Sequence, residues 1–110
     1  MKQNYENLKE VRLSGALNIR NVANIRAEVI GSCDDAAQAV INCTDISEVD
    51  LSGVQLLLAL LRFAERRRPS VRVIAPRMGV LSDTLARAGL AEAFETLARG
   101  ATVEPGAGVQ

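Results

Sequence analysis

The chain has 110 residues, nearly half of them apolar, with thirteen basic and thirteen acidic side chains and no formal net charge. That balance argues against a dedicated nucleic-acid binder, which concentrates a basic excess on one face; the length suits one domain with a real core. Histidine is absent, which removes Ser-His-Asp and Cys-His catalysis and most zinc sites.

The three aromatics are Tyr5, Phe63 and Phe94, so the core has to be built from Leu, Val, Ile and Ala. Cys33 and Cys43 are too few for a disulfide scaffold and match no metal spacing. They read as small apolar residues. The first 20 residues carry charges throughout and show no signal peptide. No apolar run approaches the roughly 20 residues that span a bilayer. A cytoplasmic domain without direct membrane insertion is therefore expected.

In chain order, residues 8–13 read as a strand, broken by Ser14-Gly15, with residues 2–6 as a weaker hairpin partner and Asn7 near the turn. Asn21 is the expected N-cap of a first helix, whose face carries Val22, Ile25 and Val29 and which Gly31 ends. Residues 39–43 form a second strand, and Ile46 and Val49 keep contact with the core. A polar step, Asp50-Leu51-Ser52-Gly53, leads into a helix over 53–67. Val54, Leu57, Leu58 and Leu61 line one face of it, and Leu56, Leu60 and Phe63 widen that face. Such a helix is packed on two sides or presented to a partner.

Arg62, Arg66, Arg67 and Arg68 sit in the last turns, where cations oppose the negative end of the helix dipole. Without interleaved aromatics they do not make a nucleic-acid face. Pro69 stops the helix. Residues 71–75 form a third strand, and 78–88 a helix through Leu81, Leu85 and Ala88. Gly89 is its natural C′ residue, with Leu90 folding back. Residues 91–97 are a short helix or strand around Phe94. One domain over 1–99 with a loose tail at 100–110 is expected. The alternation of strand and helix implies an α/β fold with a mostly parallel sheet, which the N-terminal hairpin makes mixed.

Ser52 carries the chemistry of interest. It follows a strand and opens a helix, where the first amides lack intrahelical partners. A phosphate on Ser52 would meet those amides and the positive end of the dipole. It would add about −1.5 to −2 charges at one point, enough to forbid a tight apolar contact. The plain alternative is that Ser52 only caps the helix, worth about 1 kcal/mol. Asp50 either caps the helix in its place or orients the hydroxyl for a kinase; an Asx-turn is the simpler alternative. Gly53 would let another protein's backbone come close. Asp34, Asp35 and Asp45 lie in different connections and read as turn formers. No phosphate-cradling glycine loop is present, and no cofactor is expected.

With these residues in view, the chain resembles the STAS domain, the family named for sulfate transporters and anti-sigma factor antagonists. LSGALNI at 13–19, VINCTDISEVDLSGVQLLLAL at 40–60, and VRVIAP with LARAGLAEAF within 71–94 carry the likeness. The specific piece is Asp-x-[Ser/Thr]-Gly after an apolar strand, here Asp50-Leu51-Ser52-Gly53. The resemblance implies a STAS-like fold, a mixed, mostly parallel sheet with helices packed mainly on one side. In regulatory members the hydroxyl residue before that glycine is phosphorylated by a histidine-kinase-like ATPase that also acts as an anti-sigma factor or switch kinase. The unphosphorylated protein binds this partner, and phosphorylation releases it. Carried over, Ser52 is the phosphoacceptor, with Asp50, Leu51 and Gly53 as its neighbours. Ala16, Asn18, Arg20, Val54 and Gln55 form the docking surface of a regulator that is not itself an enzyme and is a monomer or weak dimer.

Two features depart from the common regulatory form. Leu51 replaces the usual small hydroxyl residue, and Asn18-Ile19 follows Leu17 where an acidic residue is frequent. The Leu-x-Ile pattern is similar to that of small STAS proteins of chemotaxis operons and of phospholipid-trafficking transporters. The rival expectation is therefore a constitutive scaffold subunit of a chemosensory assembly or a phospholipid-trafficking ABC transporter, with Ser52 only a cap.

Overall fold

The computed structural model describes residues 8–103. The elements run β1 (Leu8–Leu17), α1 (Val22–Asp34), β2 (Gln38–Val49), α2 (Leu51–Arg66), β3 (Val71–Ile74), α3 (Met78–Ala88), α4 (Ala91–Ala101) and β4 (Thr102–Val103). The strands lie side by side in the order β1-β2-β3-β4, and every pairing among the described residues is parallel. Each strand is laid beside the last in the same direction, so right-handed crossovers put the connecting helices on one face of the sheet. The antiparallel partner expected at residues 2–6, which would make the sheet mixed, lies outside the described residues.

The core sits between that face and the helices. Ala39, Ile41, Cys43, Val71 and Val73 point inward from the central strands, and all are buried. They meet α2, the most apolar element, which buries Val54, Leu56, Leu57, Leu58, Leu60, Leu61, Phe63 and Ala64. This helix touches α1, α3 and α4 as well as the strands, which answers the breadth of its apolar surface: it is packed on several sides. The Cys43 thiol is pushed up to about 12 by burial alone, consistent with a small core residue rather than a reactive thiol.

The opposite face of the sheet is polar towards β1. Arg12 bridges Glu10 and Asp45 at 3.0 Å each, and Asn42 donates to Glu10 Oε2 at 2.8 Å. Asn42 Oδ1 accepts from the amide and hydroxyl of Thr44, so this buried amide is satisfied on both sides.

Several boundaries differ from the sequence reading, each for a local reason. Strand β1 runs through Ser14-Gly15 to Leu17, because register shifts at Arg12/Ser14 and Gly15/Ala16 absorb the irregularity. Gly15 takes φ 76° there, a left-handed conformation that suits glycine at a bulge. Strand β2 continues to Val49 beside it, burying Ile46. Helix α1 passes Gly31 and ends at Asp34, since one interior glycine costs only about 1 kcal/mol.

Helix α4 extends to Ala101, and Thr102–Val103 pair with β3. Residues 100–103 thus belong to the folded part rather than to a tail; 104–110 lie outside the described residues. Gly89 does take φ 71°, with its amide bonded to Ala86 O and that of Leu90 to Leu85 O.

The arginine cluster is partly structural. Arg67 pairs with Asp34 at 2.7 Å and lies over the Phe63 ring at 4.6 Å. Arg68 donates to Gly100 O at 2.7 Å. These contacts tie the end of α2 to α1 and α4, while Arg62 and Arg66 stay solvated.

Candidate functional site

The site forms where β1 and β2 end side by side and α1 and α2 begin, at the carboxyl edge of a parallel sheet. Crossovers leave crevices at such edges. The Asp50 amide donates to Leu17 O at 3.2 Å, which joins the two strand ends.

Asp50, not Ser52, is the N-cap of α2. Its backbone is extended, and its Oδ1 accepts from the Gly53 amide at 2.9 Å. The other oxygen, Oδ2, accepts from the Ile19 amide at 3.3 Å. One carboxylate therefore caps a helix and clips the β1–α1 loop to it. Asp50→Ala is expected to lower stability by about 1 kcal/mol, the usual worth of a cap. It should also loosen residues 18–21, read as faster amide exchange at Ile19; unchanged exchange there would mean that the clip is idle.

The loop is braced from within. Asn18 Oδ1 accepts from the Arg20 amide, while Asn21 Oδ1 accepts from the Asn18 amide and Asn21 Nδ2 donates to Ala16 O. Asn21 holds the N-cap position of α1, as expected, but its side chain makes no capping bond. It turns back to hold the loop instead. Asn18 and Ala16 shape the surface through these bonds, and Arg20 is exposed.

Gly53 is required by this protein's own backbone. A Cβ there would lie 2.6 Å from Leu17 O and 2.9 Å from Leu17 Cβ. The expected role of Gly53, admitting a partner's backbone, is thus corrected: β1 already occupies that space. Val54 is corrected too. It is 0% exposed and belongs to the core, because the fourth residue past the cap on this helix turns inward.

Ser52 sits in the first turn of α2, half-buried. Its hydroxyl and the amides of Leu51 and Ser52 have no hydrogen-bond partner among the described residues. It opens into a groove of about 280 Å³ between α1 and α2, shared with Ile19, Val22, Ala23, Arg26, Gln55, Leu56 and Ala59. Leu51 forms the ridge on the other side, above a hollow lined by Thr84 and Arg87. Leu51 is 48% exposed and Ile19 71%; two large apolar side chains in water flank the hydroxyl. Gln55 is exposed on the next turn.

Sequence reasoning took Asp50, Leu51, Ser52 and Gln55 as site residues, and the structure places them in the cap and first two turns of α2. It missed Arg26 as a wall of the same groove. Val22, Ala23 and Arg26 share a face of α1, but that this face meets Ser52 depends on how α1 packs against α2.

Against known families, a profile described as "Mlab, STAS domain" matches residues 3–99. No curated protein matches the chain.

Proposed function

The chain belongs to the STAS domain family, and from that premise we propose that it is a phosphorylation-switched docking protein, not an enzyme. STAS domains are protein-interaction modules, and the face around Ser52 is the proposed interaction surface. Unphosphorylated, it binds a histidine-kinase-like ATPase that is also its kinase. Phosphorylated, it lets go. The single observation that carries this reading is an unengaged, groove-facing hydroxyl at the N-terminus of α2 between exposed Ile19 and Leu51. An apolar contact made there buries the hydroxyl. A dianion at the same point resists that burial, because stripping water from a charge costs several kcal/mol.

Supplied with its cognate kinase and ATP, the protein is expected to gain one phosphate by intact mass, and Ser52→Ala to gain none. Labelling that persists in the alanine variant would move the acceptor elsewhere.

The second reading is a constitutive subunit of a phospholipid-trafficking ABC transporter. The words "Mlab" in the matching family's description favour it. So does Leu51, whose exposed side chain suits a lasting apolar interface. Under this reading the same surface is used, Ser52 is an interface residue, and no phosphoprotein exists in cells. No helix among the described residues is long and apolar enough to cross a membrane, so this subunit would engage the assembly through protein contacts.

A further inference from the structure

We propose that Arg26 is the internal receptor for a phosphate on Ser52, so that modification closes the α1–α2 groove from within as well as repelling the partner. This rests on the switch reading above.

Arg26 lines the same groove as Ser52. It makes no ion pair or hydrogen bond among the described residues, in contrast with Arg12, Arg67 and Arg87, which pair with acids. A helical side chain leans over the turn N-terminal to its own Cα. For Arg26 that turn carries Val22 and Ala23, which share the groove with Ser52. That lean would let the guanidinium reach along the groove towards the start of α2, where Ser52 and Ile19 line it.

A phosphate at Ser52 would find the unengaged amides of Leu51 and Ser52 beside it and a free guanidinium across from it. Arginine meets phosphate in a bidentate fork that lysine does not reproduce. Asp50, two residues before Ser52, accepts from the Gly53 and Ile19 amides.

The phosphoryl group comes from the γ-position of a nucleoside triphosphate held by the kinase. The Oγ–P bond forms as the bridging β–γ P–O bond breaks. The hydroxyl proton passes to a base of the kinase, and nucleoside diphosphate leaves. Arg26 takes no part in that transfer; it is a positioning residue for the product.

The test installs phosphoserine at position 52 during translation, so no kinase is needed. Two readouts follow: the guanidinium nitrogen signals, and the rate at which a non-specific phosphatase removes the group. The Arg26 Nε–H signal is expected to shift on phosphorylation while that of Arg62 stays in place. Arg26→Gln is expected to speed dephosphorylation about fivefold, the scale of one partly exposed charge-assisted pair. Arg26→Lys should restore only part of the protection, whereas Arg62→Gln should leave the rate unchanged. An unmoved Arg26 signal, or equal rates for the parent and Arg26→Gln, overturns the proposal. The kinase-labelling experiment reports separately on the switch: a labelled Ser52 with an indifferent Arg26 sinks the receptor alone.

Discussion

Gly53→Ala is expected to lower stability by about 2 kcal/mol, or roughly 10 °C in Tm for a domain of this size. Two effects oppose each other. Alanine is the better helix former, by about 1 kcal/mol. The added methyl, however, would sit 2.6 Å from Leu17 O and 3.1 Å from Val49 Cβ.

The first of these is a backbone atom, and it already accepts from the Asp50 amide. It cannot retreat without breaking the joint between β1 and β2. The clash therefore wins, and α2 must shift away from the strands, taking Ser52 with it. A urea titration checks this through the midpoint at constant slope. A midpoint equal to or above that of the parent would show that the contact has slack. Gly31→Ala is the control: a Cβ there meets nothing within 4 Å, so the propensity gain stands alone and the midpoint should rise.

Val54→Asp is expected to be the most damaging single change near the site, costing at least about 4 kcal/mol and leaving little folded protein. Val54 is 0% exposed and contributes to the core. A carboxylate there loses its water and finds no partner among the Leu and Ile side chains that surround it. One residue on, Gln55→Asp faces solvent and should change stability by no more than about 0.5 kcal/mol. Circular dichroism and denaturant titration separate the two variants. If both fold equally well, the helix is not oriented as described. The contrast also guides binding work: loss of partner binding in Val54→Asp reports unfolding, whereas loss in Gln55→Asp reports the surface.

Much of the fold was legible because it follows from local periodicity. The period of α2, the strand character of 39–43 and 71–74, and the Gly89-Leu90 stop each depend on a few adjacent residues. The misplacements fell where tertiary contacts overrule local preference. Ser14-Gly15 looks like a strand end, yet β2 pairs on past it. Gly31 looks like a helix stop, but the helix runs on to Asp34, whose carboxylate meets Arg67. At the site, Asp50 and Ser52 were equally good caps on spacing alone. Which one caps depends on where the helix starts, and α2 starts at Leu51.

The chain's order of residues by itself determined that this is an α/β domain with an oily second helix, a hydroxyl at that helix's head and no histidine chemistry. Periodicity and residue type suffice for those properties. Only the tertiary structure decided that Asp50 joins loop to helix, that Gly53 makes room for Leu17, that Val54 is sealed, and that Ile19 and Arg26 stand beside Ser52. Each of these is a contact between segments more than twenty-five residues apart, or the burial such contacts produce, and no local pattern encodes which distant atoms will meet.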